Sequence, residues 1–587
     1  MPELFSPDSI AKYVISLGFD LVEKTDVSIT VAVRICDFSV RLRGKLDGSF
    51  PMSVPPFFLL DRTKYGRLAH VGWRREFDDA ADDIGVVCNG VSISRSVNFE
   101  SPEQVFEYGL QAAIGLLTEC LSSTKSNDRQ VLEEFAGHWL FSCGERKGSD
   151  IAMIEPEDHV MPLKVFQYGS SSRLYCMNDL PINDTYPLPS ERSGKGFSHK
   201  GVYIPMDRPI FPPAPQESVL DWWRSKLLPD IPNSVLEDLK STLRKSTLSV
   251  KKYSVIIRVP SFVEGSDSWV GFYLQNTVKG TPPLQVGADV SGWQVTPFNV
   301  QVHNQDYLLP RGGVSQDISS ERLLVVGCGS VGGEIARLIG HAGVGQLDLI
   351  DFDSLESNNI YRHLLPSIYL GHQKTSALAS YLKFKFPYLD VEPCKGVVSL
   401  YALAQQENLE QLLSQYDGII VATGDATEER YFNDVLSTLD KKPWVIYSWL
   451  EGYGVGGHAV YVHKQGKGCL SCLYRDPSTG EPSLENIQNF MSVNQDVAVD
   501  ISGCGTYFLP YGYSDVVETA LLAVRMVFKA LNQEVEESVR CSWIGSSDEA
   551  EKKGLKLRRR YYQFDKNQGI DSLLWSECPI CCFGGQE

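Results

Sequence analysis

The sequence lacks the features that mark a membrane-spanning protein or a general nucleic-acid binder. No apolar run reaches the ~18 consecutive residues that a membrane span requires. The chain contains no long basic run, and its formal net charge of −18 disfavours a broad surface for phosphate backbones. The N-terminus carries acidic residues early, which is typical of a capped amphipathic helix and not of a signal peptide. We therefore expect a cytoplasmic protein that binds neither membrane nor nucleic acid.

The sequence also lacks a secretory signal, a metalloprotease pattern in its middle part and internal repeats. The chain has 14 cysteines but no secretory signal, which favours a reducing compartment where thiols act as metal ligands or nucleophiles. Residues 126–318 contain no paired histidines with a nearby acid, so a metalloprotease site is not expected there. No internal repeat is evident. A length of 587 residues suits about three or four globular domains.

The sequence does contain a nucleotide-binding unit in its C-terminal half. The apolar run 323–326 is typical of a strand buried on both faces of a parallel sheet. Directly after it, G-x-G-x-x-G spacing is formed by Gly327, Gly329 and Gly332. A helix-length segment and a second apolar strand ending at Asp351 complete a βαβ unit. The glycines open a helix N-terminus to phosphate, and Asp351 can accept a hydrogen bond from a ribose hydroxyl.

The polar residues that follow distinguish a triphosphate from a dinucleotide. Acidic, amide and cationic side chains occur in the order Asp353, Asn359, Arg362 and Lys374. The glycine spacing alone fits NAD about as well as ATP, but a nicotinamide enzyme does not require this cluster. A nucleotide that is attacked at its α-phosphorus requires cations for the charge on phosphorus and pyrophosphate, and an acid to hold Mg²⁺. The pattern therefore favours ATP and Mg²⁺, and an NAD oxidoreductase is a more distant alternative.

The stretch D-F-D-x-x-x-x-x-N-x-x-R, followed by G-x-x-K, resembles the adenylation domain of ubiquitin-activating enzymes. It is equally similar to the related ThiF-type enzymes that adenylate sulfur-carrier proteins. The resemblance implies that Asp351 binds the ribose of ATP. It also implies that the phosphates are bound by Asn359, Arg362 and Lys374, of which the two cations act in catalysis.

A later strand supplies the second acid of the same family. The apolar segment 418–422 leads into Thr423, Gly424 and Asp425, which match the family's acidic position. The resemblance therefore implies that Asp425 is a magnesium ligand. It also implies that residues 319–587 form a doubly wound, Rossmann-like α/β adenylation domain.

Two C-x-x-C pairs in the C-terminal third predict a metal centre. The pairs are Cys469 with Cys472 and Cys578 with Cys581. Four thiolates at this spacing form a closed tetrahedral zinc site with no open position for chemistry, so the predicted zinc is structural. Similar paired knuckles occur in the sulfur-carrier adenylating relatives. A redox C-x-x-C is the alternative, and Cys582 is either a spare thiol or a substitute ligand.

Between the two pairs lies a candidate acceptor cysteine. Cys504 is flanked by glycines in a loop before a long apolar helix that ends at Leu531. This position resembles the acceptor-cysteine loop of activating enzymes, and the glycines permit such a loop to move. The following helix N-terminus would also favour the thiolate. Cys541 is the runner-up, but its alternating surroundings are typical of a strand.

Residues 1–125 are predicted to form a smaller α+β domain. A helix, alternating strands, a proline-rich loop, a cysteine in a loop and a final helix occur in an order that resembles bacterial ubiquitin-conjugating enzymes. Cys88 matches the acceptor position, and the alternative for it is a small buried hydrophobic residue. The family's histidine–proline–asparagine triplet is absent, because His70 is followed by Val71, and no oxyanion-stabilising residue is assigned.

The intervening residues 126–318 are predicted to be a linker domain. They contain one helix-like segment, 218–246, and a strand pair over 253–259 and 269–275. The proline-, serine- and glycine-rich stretch 184–217 is typical of a connection or an exposed lobe.

Together the two resemblances imply a conjugating enzyme fused to an activating enzyme, as in the fusion proteins of bacterial CBASS anti-phage operons. They imply adenylation of a protein C-terminus, a thioester relay from Cys504 to Cys88, and conjugation to a target lysine. The implied modifier is the operon's nucleotide cyclase, a CD-NTase, and a homodimer is expected. A sulfur-carrier adenylyltransferase, without a step at Cys88, is the main alternative. A non-enzymatic binding module is disfavoured by the intact pattern of Arg362, Lys374 and Asp425.

Overall fold

The structure is a computed structural model, and the chain forms two compact units that divide between Tyr307 and Leu308. Among the described residues, no helix is both long enough and apolar enough to cross a bilayer. The structure describes residues 5–46, 49–73, 83–88, 96–143, 150–154, 156–168, 172–176, 197–214, 217–246, 250–263, 265–313, 318–386, 388–465, 467–476, 478–500, 507–565, 569–573, 575–576 and 578–582.

The first unit begins with an antiparallel sheet of six strands in the order β1-β2-β3-β4-β6-β5. Helices α1 and α2 pack against each other and against this sheet, and apolar side chains from both layers form one core. The predicted order of a helix, alternating strands and a final helix is confirmed. The elements are α1 (Pro7–Ser16), β1 (Asp20–Lys24), β2 (Ser28–Ile35), β3 (Phe38–Lys45), β4 (Phe57–Leu60), β5 (Val71–Trp73), β6 (Ile84–Val87), α2 (Pro102–Ser122), α3 (Thr124–Glu133) and α4 (Phe135–Cys143).

The rest of the first unit is a closed barrel in the strand order β10-β11-β12-β13-β7-β9-β8. Helix α4 connects the two parts, because the Trp139 indole N–H donates to the carbonyl of Phe298 in the barrel over 2.9 Å. The elements are β7 (Asp150–Met153), β8 (Met161–Tyr168), β9 (Ser172–Cys176), β10 (Phe197–Pro205), α5 (Val219–Trp222), a π-helical turn (Trp223–Leu227), α6 (Leu228–Asp230), α7 (Asn233–Ser246), β11 (Val250–Val259), β12 (Ser268–Gly280) and β13 (Trp293–Val302).

The second unit is built on a sheet in the order β16-β15-β14-β17-β18-β19-β22-β23. Strands β14 to β18 are parallel, and the remaining strands continue the sheet in antiparallel pairs. A short helix, α8 (Gln305–Arg311), contains the division between the units. The strands are β14 (Arg322–Val326), β15 (Gln346–Ile350), β16 (Asp390–Pro393), β17 (Gly418–Val421), β18 (Trp444–Leu450), β19 (Gly456–Val462), β20 (Val499–Asp500), β21 (Tyr507–Phe508), β22 (Val539–Ile544) and β23 (Asp571–Ser572).

Helices cover both faces of this sheet, and each face has its own apolar core. The structure therefore has the predicted Rossmann-like α/β form. The helices are α9 (Ser330–His341), α10 (Lys374–Lys385), α11 (Leu400–Ala404), α12 (Leu409–Leu413), α13 (Ala426–Ser437), α14 (Tyr513–Leu531), α15 (Asp548–Lys552) and α16 (Arg559–Gln563).

Strand β14 lies at the point where the strand order reverses. Its last residue, Val326, pairs with Ile350 of β15 on one side and with Val421 of β17 on the other. Three parallel strands therefore end at one level, and the loops after them converge. In open α/β sheets this position forms the crevice where ligands bind.

One of the predicted domain boundaries falls inside a helix, and the other falls between secondary-structure elements. The boundary between residues 125 and 126 falls inside α3, and the barrel after it belongs to the same compact unit as the N-terminal sheet. The boundary between residues 318 and 319 lies just before β14.

Candidate functional site

The backbone is closely packed where β14 leads into α9, and two of the glycines there have no room for a side chain. Gly327 has φ +90°, and a Cβ there would lie 2.5 Å from the carbonyl oxygen of Ala422. A Cβ on Gly332 would lie 1.8 Å from the carbonyl oxygen of Gly327. Gly329 caps α9, and a Cβ there would meet no atom within 4 Å. The first turn of α9 is thus open, as a phosphate site at a helix N-terminus requires.

Asp351 follows β15 and faces this loop. Its Oδ2 accepts a hydrogen bond from the backbone N–H of Cys328 at 2.6 Å, and its Oδ1 accepts from that of Asp353 at 2.7 Å. Burial raises the pKa of Asp351, and these two hydrogen bonds oppose the effect. The carboxylate is therefore held beside the glycine loop, where its remaining lone pairs can accept from a ribose.

The side chain of Lys374, the first residue of α10, is held in place by an ion pair. Its Nζ donates to Oδ2 of Asp353 at 2.7 Å, and its side chain is only 10% exposed. Asn359 is used differently, because its Oδ1 accepts from the backbone N–H of Glu356 at 3.0 Å and closes a capping box around a short 3₁₀ turn. In this structure Asn359 shapes the segment that carries Arg362.

Arg362 lies against the chain that leads into α14. Its Nη1 donates to the carbonyl of Leu509 over 3.3 Å, and its guanidinium lies 5.5 Å from the centre of the Tyr511 ring. The Tyr511 hydroxyl is 3.3 Å from Oγ of Ser330 in the first turn of α9. Arg362 and the start of α9 are therefore connected through residues 509–511, a connection that no local sequence pattern indicated.

Asp425 lies on the other side of the glycine loop, just after β17. It is the N-cap of α13, and its Oδ1 accepts from the backbone N–H groups of Thr427 at 2.9 Å and Glu428 at 3.0 Å. Among the described residues, its Oδ2 has no hydrogen-bond partner. The side chain is exposed, so this oxygen can serve as a cation ligand while the first oxygen caps the helix.

Glu429 is a buried acid of this site that the sequence analysis did not find. It is 4% exposed, and its Oε1 accepts from the Thr423 hydroxyl at 2.7 Å and from the Gly424 N–H at 3.1 Å. Burial raises the pKa of Glu429 to about 7. It fixes the turn that presents Asp425, and its only sequence signal is a four-residue spacing that is common in any helix.

The four predicted zinc ligands converge. Their Sγ atoms all lie within 4.8 Å of one another. Individual separations are 4.0 Å for Cys469–Cys472, 3.8 Å for Cys469–Cys578 and 3.6 Å for Cys472–Cys581. A tetrahedron with zinc–sulfur bonds of ~2.3 Å has sulfur–sulfur edges of ~3.8 Å, so this donor set fits zinc. Cys582 lies outside the four, with its Sγ 3.8 Å from that of Cys581.

The cysteine cluster is fastened to the helix that Asp425 caps. The backbone N–H of Leu470 donates to Oδ1 of Asn433 at 2.9 Å, and the hydroxyl of Ser471 donates to Oδ1 of Asp434 at 2.7 Å. Both acceptors are on α13. The cysteine cluster is thus hydrogen-bonded to the helix whose first turn borders the glycine loop.

The candidate acceptor cysteines differ in their surroundings. Cys504 lies outside the described residues. Cys541 is buried in β22, its Sγ is 3.6 Å from the carbonyl of Ala459, and burial raises its pKa to about 12. Cys88 is exposed directly after β6, and its N–H donates to the carbonyl of His70 at 2.7 Å. The alternative interpretation of Cys88 as a buried hydrophobic residue is therefore wrong.

The family that matches this chain does so almost entirely within the second unit. Residues 304–542 match the ThiF family. The chain is 27% identical over 334 residues to the ATP-dependent ubiquitin transferase-like protein Cap2 of Pseudomonas aeruginosa, covering 55% of this chain and 57% of that protein. It is 28% identical over 219 residues to the adenylyltransferase and sulfurtransferase MOCS3 of Danio rerio, covering 37% and 44%.

Among solved structures, that of MccB from E. coli matches with 14% identity and a TM-score of 0.32, over 48% of this chain and 70% of that chain. The chain spans about half the length of the curated relatives it matches.

Proposed function

Since the chain carries a ThiF match and resembles the fusions of activating and conjugating enzymes, we propose that it adenylates the C-terminal carboxylate of a protein. A carboxylate is a poor acyl donor until it carries a good leaving group. In this reaction its oxygen attacks the α-phosphorus of ATP, pyrophosphate departs, and an acyl-adenylate remains. The observation that carries the proposal is the bare glycine loop after β14, with Asp351 after β15 on one side and Asp425 after β17 on the other.

Each side chain around the loop has a proposed role. Asp351 binds the ribose, and Asn359, Arg362 and Lys374 bind the phosphates. The two cations, Arg362 and Lys374, neutralise phosphate charge. The ion pair of Lys374 with Asp353 supports this role, because an oriented ammonium needs little rearrangement to meet a phosphate oxygen.

Asp425 is the proposed magnesium ligand, with its Oδ2 directed to the cation. Bound Mg²⁺ would add positive charge at the phosphates. The cap that Oδ1 forms keeps the carboxylate in place at the end of β17.

The acyl group is proposed to move through two thioesters. Cys504 attacks the acyl-adenylate and releases AMP, Cys88 then takes the acyl group by thioester exchange, and a lysine of the target receives it as an isopeptide. Two described features support Cys504 as the first acceptor. Leu509, five residues after Cys504 in the sequence, contacts Arg362, and the rival thiol of Cys541 is buried in the core.

The proposed modifier is a protein with a free C-terminus, and the resemblance to CBASS fusions favours a CD-NTase cyclase. Its conjugation to cellular lysines would prime antiviral signalling. The enzyme is proposed to act as a cytoplasmic homodimer. The four thiols are proposed to hold one structural zinc, which connects the C-terminal segment to the knuckle beside α13.

A sulfur-carrier adenylyltransferase is the second candidate. It is favoured by the similarity to MOCS3. It predicts an acyl-adenylate but no step that depends on Cys88. The exposed position of Cys88 favours the conjugating alternative, because a thiol that must exchange thioesters has to be accessible.

The test is intact mass spectrometry of wild type, Cys504→Ala and Cys88→Ala after incubation with Mg-ATP and a candidate cyclase. The proposal expects a thiol-sensitive adduct that is absent in Cys504→Ala and remains on Cys504 in Cys88→Ala. Cys36→Ala, which removes another exposed thiol of the first unit, is the matched control and should retain the adduct. ATP turnover without any thioester would support the sulfur-carrier alternative instead.

A further inference from the structure

A buried histidine is hydrogen-bonded to the backbone of the glycine loop. His363 follows Arg362 directly in the sequence and is 6% exposed. Its ring Nε2 lies 2.9 Å from the carbonyl oxygen of Cys328, which stands between two of the loop glycines. A Cβ on Gly333 would lie 3.6 Å from Cε1 of His363, so the ring also packs against the first turn of α9. The imidazole therefore joins the glycine loop to the segment that carries Arg362.

The hydrogen bonds of His363 define which ring nitrogen carries the proton. The backbone N–H of Leu365 donates to Nδ1 at 3.1 Å, so Nδ1 is the acceptor and is unprotonated. The carbonyl of Cys328 can only accept, so Nε2 carries the proton and donates it to the hydrogen bond. An imidazolium would place a second donor against the N–H of Leu365. His363 is therefore a neutral imidazole with one defined orientation.

The surroundings of His363 agree with the neutral form. Burial lowers the pKa of His363, and the nearby cations Lys374 and Arg362 lower it further. The hydrogen bond to the carbonyl of Cys328 opposes these effects without outweighing them. The ring therefore stays an N–H donor to the loop at neutral pH and adds no positive charge to the site.

The N–H and the carbonyl of Cys328 are held by different side chains. The N–H donates to Oδ2 of Asp351 at 2.6 Å, whereas the carbonyl accepts from His363. In a planar trans peptide the carbonyl and the N–H of the next residue point in opposite directions. The bond from His363 therefore fixes the direction of the Gly329 N–H, which points away from the histidine. Gly329 is the N-cap of α9, and a Cβ there would meet no atom within 4 Å.

We propose that His363 is a positioning residue of the nucleotide site, which holds the peptide between Cys328 and Gly329 so that the Gly329 N–H is directed to a phosphate of ATP. The inference rests on the proposed function, in which the glycine loop binds ATP. A donor that is fixed before the ligand arrives needs no rearrangement when negative charge is bound. Asp351 holds the preceding peptide, so the ribose end and the phosphate end of the loop are controlled by separate side chains.

His363 also holds the loop and the Arg362 segment as one assembly. One peptide bond joins it to Arg362, the proposed phosphate cation. Its Nε2 is bonded to the loop, and its Nδ1 is bonded to the backbone of Leu365 on the same segment. Loss of the ring should therefore weaken contacts with the phosphates and spare those with the ribose.

The test is the binding of Mg-ATP and of adenosine to the full chain, measured by equilibrium dialysis without a modifier protein. We expect His363→Phe, which keeps a ring but removes both nitrogens, to raise the Kd for ATP about tenfold, since one hydrogen bond to a charged group has an effect of this size. The Kd for adenosine should stay within about twofold of wild type, because adenosine has no phosphate.

Two further variants separate a lost hydrogen bond from a lost side chain. His363→Gln places an amide N–H where Nε2 stood and should restore most of the affinity for ATP. His372→Phe is the matched control, because His372 is an exposed histidine of the same segment, and it should leave both Kd values unchanged.

Hydrogen–deuterium exchange without ATP provides a second measurement. We expect faster exchange in the peptide spanning residues 326–333 of His363→Phe and wild-type exchange over β17 and β18, because only the loop loses a constraint. Faster exchange throughout the second unit would indicate a merely structural role and would overturn the inference.

The binding data can also contradict the inference. Equal ATP affinity in His363→Phe and the control would do so, as would an equal loss of affinity for ATP and adenosine or the absence of rescue by His363→Gln. A wild type that binds no Mg-ATP at all is a different outcome, since it would refute the proposed function and this inference with it.

Discussion

The glycines of the phosphate loop are constrained to different degrees, although the sequence pattern treats them alike. Gly332 packs its Cα against the backbone of Gly327, whereas Gly329 faces open space. The first is required by the fold itself, and the second is required only if something else occupies that space. Substitution of Gly332 therefore tests the packing of the loop, and substitution of Gly329 tests ligand binding.

We predict that Gly332→Ala destabilises the chain by about 3 kcal/mol or more, because a Cβ cannot displace a backbone carbonyl cheaply. Gly329→Ala should cost no more than about 1 kcal/mol of the free energy of unfolding, since its Cβ meets nothing and only the preference for glycine over alanine at the N-cap is lost. It should nevertheless raise the KM for ATP by about tenfold, because the methyl group occupies the phosphate cradle. Chemical denaturation and initial-rate kinetics measure the two effects. Equal ATP kinetics in Gly329→Ala and wild type would contradict the site.

Glu429 gives a prediction about pH. Its pKa is raised to about 7 by burial, so the folded state keeps a proton that the unfolded state releases above its ordinary pKa. Stability therefore falls as pH rises through the window between the two pKa values, and then stays constant. Glu429→Gln cannot titrate, so relative to wild type it should gain up to about 3 kcal/mol between pH 4.5 and pH 7. Urea unfolding at pH 5 and pH 8 measures this difference, and a constant difference would contradict the prediction.

Candidate site residues were predictable where a motif carries them. Asp351, Arg362 and Lys374 were selected from their order after the glycines, and Asp351 lies against the glycine loop as expected, while the roles of the three side chains stay predictions. Glu429 was not found, because its contacts with Thr423 and Gly424 exist only in the folded chain. A buried glutamate has no distinctive spacing.

At the scale of elements, α13 connects the turn after β17 with the cysteine cluster. Its first turn is capped by Asp425, and its later residues bind the first cysteine knuckle through Asn433 and Asp434. A change at the four cysteines should therefore affect the turn that carries Asp425 beside the glycine loop. The helix provides the physical route.

We predict that Cys472→Ser lowers the zinc content from one ion per chain and raises the KM for ATP, since α13 then loses its support. Elemental analysis and ATP kinetics are the measurements. Cys36→Ser, an exposed thiol outside the cluster, is the control and should leave both values unchanged. Full zinc occupancy in Cys472→Ser would contradict the assigned ligand set.

Elements were predictable where local patterns determine them. The unit from β14 through α9 to β15 was predicted within one residue at each strand, because glycine spacing and apolar runs are both local. The predicted helix over 218–246 is interrupted, because Pro232 forces Ile231 out of the helical region to ψ 129°. The closed barrel was not predicted, since its strands pair across long sequence separations that leave no local signal.

At the scale of the whole molecule, the proposed function divides the chemistry between the two units. We propose that adenylation depends on the second unit and lysine transfer on the first. The predicted linker and the N-terminal sheet form one compact unit, so the fold gives no sign of a spacer that folds separately. The two activities should therefore separate cleanly by mutation.

We predict that Arg362→Ala reduces ATP–pyrophosphate exchange by about a hundredfold or more, because removal of a group that stabilises transition-state charge has effects of this size. Cys88→Ala should leave the same exchange unchanged while abolishing the lysine conjugate. Arg208→Ala, an exposed arginine of the first unit, is the control. A conjugate that persists in Cys88→Ala on gel electrophoresis would contradict the division of labour.

The central claim is that ATP activates the C-terminal carboxylate of a protein, and ATP–pyrophosphate exchange tests it most directly. The exchange is measured with a candidate cyclase and with the same cyclase lacking its last residues. We predict exchange with the intact cyclase, little exchange with the truncated one, and loss of exchange in Arg362→Ala. Equal exchange with the intact and truncated cyclases would contradict it, because the activated group would then not be the C-terminal carboxylate.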